Sequence, residues 1–200
     1  EARKMSSRNE LNSNFNIDLD NFSNSKKIIG KLSKEEIIRK AFEFHAKGNI
    51  LEAEKYYKYF LEKGFKHKNV LVNYAIINLG KGKIDIAIEL FMQTINLYPD
   101  EFEAYYNLGK VYLNSNNTEE AEFYTRRAIE LKPDLFDAYL NLGSILKDLD
   151  KFKEAEETQR IALGINPESP IANNNLAAVL IELNELKEAV NYLDIAIKLE

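Results

Sequence analysis

Apolar residues along this chain fall into short stripes with members three or four apart, and from Lys34 onward the stripes recur every 34 residues. When units are counted from Lys34, Lys68, Phe102, Phe136 and Pro170, positions 4, 7, 8 and 11 share one face of a helix. Positions 17, 20, 24, 27 and 28 share a face of a second helix. Ala53, Ala87, Ala121, Ala155 and Ala189 all occupy position 20, and Pro99, Pro133 and Pro167 keep the same step at position 32. Each unit is therefore predicted to be a pair of amphipathic helices. Between the stripes, position 15 reads Gly48, Gly82, Asn116, Asp150 and Asn184. These residues tolerate positive φ, so the first helix can end there and the chain reverse onto itself. Small residues at positions 8 and 20 allow close approach of the two backbones, and each buried Leu or Ile around them contributes roughly 1.5–3 kcal/mol.

The third and fourth units, FEAYYNLGKVYLNSNNTEEAEFYTRRAIELKPDL and FDAYLNLGSILKDLDKFKEAEETQRIALGINPES, resemble the tetratricopeptide repeat. The residues that carry the resemblance are Tyr105 and Tyr139 at position 4, Leu108-Gly109 and Leu142-Gly143 at 7 and 8, Ala121 and Ala155 at 20, Ala128 and Ala162 at 27, and Pro133 and Pro167 at 32. The resemblance implies an all-α, right-handed α-solenoid of five helical hairpins over 34–67, 68–101, 102–135, 136–169 and 170–200. In such a solenoid no hairpin closes a core alone and neighbours share stability. Several residues depart from the pattern: Asn78 and Asn173 at apolar positions, Thr125 and Gln159 in place of an aromatic at 24, Phe60 and Thr94 in place of Ala at 27, and Phe65 in place of Pro. They are expected to disturb packing locally.

Ser33-Lys34-Glu35-Glu36 has the spacing of a capping box and marks the start of the first helix. Residues 1–33 are rich in Ser, Asn and charge, with too little apolar area to offset the entropy of ordering, and read as a flexible polar leader. Docking of Phe22, Ile28, Ile29 and Leu32 on the first unit is the alternative. At the other end the chain reaches Glu200 with no polar helix to close the last apolar face, and it does not begin with Met, so a piece of a longer protein is expected. The uncapped fifth unit is a candidate for self-association.

Composition narrows the class. The 200 residues are 45% hydrophobic and 30% charged, with no apolar run of membrane-spanning length and no apolar stretch of the kind a signal peptide needs, so a cytoplasmic location is expected. With no cysteine there are no disulfides, thiolate ligands or cysteine nucleophiles. A formal net charge of −5 argues against nucleic acid as a partner. The basic cluster Lys63, Lys66, His67 and Lys68 lies between units and reads as a solvated turn. His45 and His67 are too few for a metal site or a triad, so neither catalysis nor a cofactor is expected. The pairs Glu35-Glu36, Glu119-Glu120 and Glu156-Glu157 sit in early helical turns, where negative charge complements the helix dipole. Gly80-Lys81-Gly82-Lys83 lacks the spacing of a phosphate loop.

The binding signal is at position 6, where Asn73, Asn107, Asn141 and Asn175 recur in four consecutive units and Arg39 stands in the first. In the resembled family positions 2, 5, 6, 9, 12 and 13 line the concave groove. The series is similar to the asparagine ladder of the repeat domain in the enzyme that attaches N-acetylglucosamine to protein serine and threonine. An amide donates and accepts, so a ladder of them can pair with the backbone of an extended peptide. Four such bonds supply about 2–6 kcal/mol, against an association cost of about 4–15 kcal/mol. Apolar groove residues, Val72, Ile76, Leu79, Tyr106, Leu113 and Leu140, would have to add the rest, with Lys110 and Lys147 facing Glu103 and Asp137. Tyr106 is the best anchor. The alternative role for the ladder is local surface polarity.

Repeats that clamp the carboxylate tails of chaperones need cations and amides at sites that here read Ile38, Phe42, Asn73, Glu103 and Asn107, so that partner is not expected. The expected function is a protein-interaction scaffold without catalysis. The segment AFEFHAKGNILEAEKYYKYFLEKGF also resembles the first unit of bacterial repeat proteins that continue into a glycosyltransferase or sulfotransferase. The alternative is therefore a substrate-recruiting region of such an enzyme.

Overall fold

A computed structural model of the protein describes residues 26–199. The helices in chain order are α1 (26–29), α2 (Lys34–Ala46), α3 (Ile50–Glu62), α4 (Lys68–Gly80), α5 (Ile84–Leu97), α6 (Phe102–Asn114), α7 (Thr118–Leu131), α8 (Phe136–Asp148), α9 (Phe152–Ile165), α10 (Pro170–Glu182) and α11 (Leu186–Leu199). The described residues contain no strand. From α2 on, first helices begin at position 1 of each unit and second helices at position 17, so the 34-residue period survives intact in the backbone.

The residues at position 15 do what their chemistry allows. Gly48, Gly82, Asn116, Asp150 and Asn184 all have φ between 57° and 72°. One residue later an N–H reaches back five residues to a carbonyl: Asn49 to Phe44 at 2.9 Å, Lys83 to Asn78 at 2.9 Å, Asn117 to Tyr112 at 3.0 Å, Lys151 to Leu146 at 2.8 Å and Glu185 to Leu180 at 2.8 Å. This is the Schellman closure of a helix end, repeated five times. Gly64 (φ 76°) with the Phe65 N–H on the Phe60 carbonyl ends α3 the same way, which replaces the proline missing at Phe65. At the start of α2 both halves of the capping box are formed: the Glu36 N–H donates to Ser33 Oγ at 3.2 Å and the Ser33 N–H to Glu36 Oε2 at 2.8 Å.

Two compact units are present, one ending at Lys83 and one beginning at Ile84, so the boundary falls between α4 and α5. In the first, α2 packs on α3 and α3 on α4 around Ile37, Ala41, Ala53, Tyr57, Phe60, Val70 and Ile77. Ile29 is buried in this cluster and Leu32 packs against it, while Ile28 stays exposed. The last residues of the segment expected to be a leader are thus an ordered helical turn, tied further by Lys26 to Glu62 at 2.7 Å. Phe22 and the rest of that segment lie outside the described residues. In the second unit each helix from α6 to α11 packs on its predecessor, and α8 also touches α6 and α10, the stacking of an α-solenoid of tetratricopeptide type. Its core includes Leu142, Leu146, Ala155 and Val179, then Leu176, Ala177, Leu180 and Ala189.

Position 20 is buried in all five hairpins. The polar departures are also inside: Thr125 Oγ1 and Gln159 Oε1 lack a hydrogen-bond partner, and the other three are satisfied. Asn78 Nδ2 donates to the Tyr74 carbonyl at 2.7 Å, Thr94 Oγ1 to Leu90 at 2.8 Å, and Asn173 Nδ2 to Ser169 at 2.8 Å. Each returns its hydrogen to a carbonyl four residues earlier, which avoids the cost of burying an unmet donor.

Candidate functional site

The ladder is built on the first helices, each of 13 residues and starting at the same register of its repeat, so position 6 falls at the same point along each helix. Its four amides are not equivalent. Asn73, in the first compact unit, donates from Nδ2 to the Tyr57 hydroxyl at 3.2 Å, and that hydroxyl also meets His45 Nδ1 at 2.9 Å. Asn107 spends its Nδ2 on the Glu103 carbonyl at 2.7 Å. Asn141 Nδ2 is buried without a well-formed hydrogen bond, though the amide lies beside the Tyr106 hydroxyl. Asn175 lines a cavity with Ser144 and Lys147. Arg39 is exposed on α2.

Tyr106 is half-buried. Burial, with the Asp137 carboxylate, pushes its phenol above the ordinary range against the opposing effect of the Asn141 amide. Lys110 Nζ sits 5.5 Å from the centre of the Tyr106 ring. Lys147 has Asp148 as its neighbour at 3.9 Å. The two lysines thus engage Tyr106 and Asp148, where the sequence pointed to Glu103 and Asp137. Of the apolar residues expected in the groove, Ile76 is 43% exposed and Leu79, Leu113 and Leu140 are partly buried, but Val72 is only 1% exposed and packs inside the fold. A β-branched residue at position 5 of α4 is drawn inward because Leu71 and Ala75 beside it are also buried.

Position 24 contributes to this side of the hairpins, which its stripe in the sequence did not reveal. Tyr57 reaches from α3 to His45 at position 12 of its own hairpin and Asn73 at position 6 of the next. Gln159 stands at the corresponding place on α9, with Lys147 and Asn175 as the corresponding partners, and all three line a cavity of about 280 Å³ with Ser144 and Val179. Glycine at position 8 makes this reach feasible: a Cβ on Gly143 would stand 2.1 Å from Gln159 Nε2, and one on Gly109 would stand 2.4 Å from Thr125 Oγ1. The signal in the sequence was the pairing itself, Gly at 8 with a polar residue at 24, against Ala at 8 with Tyr57, Phe91 or Leu193.

The second helices carry a periodic set of ion pairs. Arg126 bridges Glu122 at 2.8 Å and Glu154 at 2.7 Å, and 34 residues on Arg160 bridges Glu156 at 2.9 Å and Glu188 at 2.9 Å. Lys151 adds a contact to Glu122 at 2.7 Å, and Lys153 joins Glu156 to Glu185. Burial raises the Glu122 carboxyl, but Lys151 and Arg126 together bring it below the usual carboxylate range. Glu156 is likewise raised by burial and lowered more by Arg160 and Lys153. Of the two histidines, His45 is bonded to Tyr57 and His67 is pushed down by burial and by Lys34 and Lys68. No helix among the described residues is long and apolar enough to cross a membrane.

Comparison with known proteins agrees with this geometry. Residues 102–135 and 136–169 each match the tetratricopeptide repeat. The uncharacterized protein YgeG of Escherichia coli (strain K12) is 31% identical over 88 residues, which are 44% of this chain and 54% of that protein. The chain thus spans about half the length of the curated relative it matches. Among solved structures, a MamA protein superposes with a TM-score of 0.73 at 23% identity, over 84% of this chain and 91% of that one. The MamA RS-1 ArsTM double mutant gives 0.75 at 19% identity, over 83% and 93%. At these identities the likeness is one of fold.

Proposed function

This chain is a tetratricopeptide-repeat protein, and from that premise we propose that it is a protein-interaction scaffold that holds an extended peptide segment of a protein partner along the position-6 face of α6, α8 and α10, with Asn73 presenting the same group in the first compact unit. The observation that carries this reading is the recurrence of Asn at one register in four successive first helices. Where Asn73 and Asn107 have committed Nδ2 internally, Oδ1 is left to accept a peptide N–H. The internal bonds also hold those amides in one rotamer, which lowers the entropy lost on binding. Tyr106, with the Lys110 ammonium over its ring, supplies an aromatic anchor beside Asn107 and Asn141.

The scaffold acts through binding and performs no catalysis of its own. The reading with a catalytic region elsewhere in a longer polypeptide keeps the same groove as its substrate-recruiting surface. Replacement of Asn73, Asn107, Asn141 and Asn175 by Ala tests the groove. Selection from a displayed library of extended peptides is expected to yield binders to the parent protein, and the quadruple variant is expected to lose about 2–6 kcal/mol of their binding free energy. Its thermal midpoint should fall only by the few degrees that the lost internal bonds of Asn73 and Asn107 cost, with the chain still folded. Binders with equal affinity for both proteins would overturn the proposal.

A further inference from the structure

Gln159 is a glutamine with no exposed surface whose side chain is half satisfied. Its Nε2 donates to the Leu140 carbonyl at 3.2 Å, and Ser144 Oγ donates to the same carbonyl at 3.1 Å. The Leu140 carbonyl can only accept, so this contact fixes which way the amide faces, because a flipped Gln159 would set oxygen against oxygen. Oε1 is left buried without a partner, which is unfavourable for a polar group in a protein interior. The cavity of about 280 Å³ that Gln159 lines is bordered also by Lys147 and Asn175. In the first hairpin the same three positions are closed internally, by the Tyr57 hydroxyl on His45 and Asn73. In the fourth, Gln159 stands where the first has Tyr57, and the corresponding three positions border the cavity.

The geometry points to this cavity as a side-chain subsite for a primary carboxamide, the head group of an Asn or Gln in the bound peptide. The proposal rests on the peptide reading above and adds to it a preference for one side chain. Gln159 Oε1 is closed off in the cavity as it stands; with Lys147 and Asn175 turned aside, a carboxamide would present N–H to it and to the free lone pairs of Ser144 Oγ, and its carbonyl to Lys147 Nζ. A carboxylate would satisfy Lys147 but set acceptors against two acceptors, with Asp148 at the rim. An ammonium or guanidinium could donate but would meet the Lys147 charge. Lys147, whose neighbour Asp148 is at 3.9 Å, and Asn175 are only partly buried, so they can turn aside to admit the group.

The test uses the whole chain, labelled with nitrogen-15, and follows the side-chain amide signals of Gln159 and Asn175 by NMR. Propionamide is the probe; propionate and N,N-dimethylpropionamide, which has the carbonyl but no N–H, are the comparisons. Propionamide should give a saturable shift of both signals, the other two compounds should give none, and Gln159→Leu, confirmed folded by its thermal melt, should lose the Asn175 shift. An equal response to the dimethyl compound, a larger one to propionate, or no shift with any probe would overturn the proposal, the last leaving a cavity that takes only water. Displayed peptides separate this from the groove reading. Binders without enrichment of Asn or Gln would leave the groove standing and remove the subsite. A propionamide response without any peptide binder would do the reverse.

Discussion

At the level of single residues, the decisive contact is between Gly143 and Gln159. Two glycines in helical conformation offer a clean comparison, because Gly164 in α9 has open space where a Cβ would go, while a Cβ on Gly143 meets Gln159 Nε2, Cδ and Cγ at 2.1, 2.6 and 2.8 Å. Gly164→Ala should therefore stabilise by about 0.5–1 kcal/mol through helix entropy alone. Gly143→Ala should instead lose about 1–3 kcal/mol to overpacking, and Gln159→Ala in that background should return part of the loss. Denaturant unfolding of the four proteins measures this, and a Gly143→Ala chain as stable as Gly164→Ala would show that the amide does not need the gap. Thr125 and Gln159 are where the expected local fault is seen, since each replaces an aromatic and each leaves a buried oxygen without a partner. Periodicity reports which positions face inward, but whether a polar atom there finds a carbonyl is set by rotamer and by the neighbouring helix. The turn residues were legible because positive φ is a backbone property that Gly, Asn and Asp announce by themselves. Val72 was misplaced for the opposite reason: its position in the register named a groove, and the burial of its neighbours decided otherwise.

Among elements, stacking of the second helices depends on charge as well as on apolar contact. The Glu122–Arg126–Glu154 and Glu156–Arg160–Glu188 sets repeat with the period and join α7 to α9 and α9 to α11. The sequence placed acidic pairs here in the service of the helix dipole, and the inter-helix partners were invisible because they lie 28 residues away. Glu122 and Glu156 are held below their ordinary range in the folded chain, so their pKa falls on folding. A depressed carboxyl contributes stability that is whole above its unfolded value, near about 4.3, and is lost as pH falls through the lower folded value. The thermal midpoint, followed by circular dichroism, should drop as the solution is taken from neutral pH to below about 4. Glu122→Gln with Glu156→Gln should flatten that drop while costing only about 0.2–1 kcal/mol per pair at neutral pH. A double variant with the parent's full acid sensitivity would mean that other carboxyls govern it.

For the molecule as a whole, the charge set stops at the last hairpin. Where Glu122 and Glu156 stand at position 21, α11 has Val190, and where Arg126 and Arg160 stand at 25 it has Asp194. Val190 is 55% exposed, Leu186 54% and Ile197 70%, and their spacing of four and seven puts them on one side of the helix. Three apolar side chains on one face would each gain from leaving water, at roughly 25 cal/mol per Å², and the exposed Asp194 at the edge of that stripe is a like charge that a second copy must be placed to avoid. This face is expected to pair chains in solution, giving a scattering mass that rises with concentration. Val190→Glu with Ile197→Glu places two carboxylates on the stripe without touching Ala189 or Ala196, which are buried, so the hairpin should keep its helicity while the concentration dependence disappears. Light scattering over a dilution series, with circular dichroism on the same samples, reads both quantities. A parent chain that stays monomeric throughout would remove self-association from the functions of this surface and leave the position-6 face as its principal means of engaging another protein.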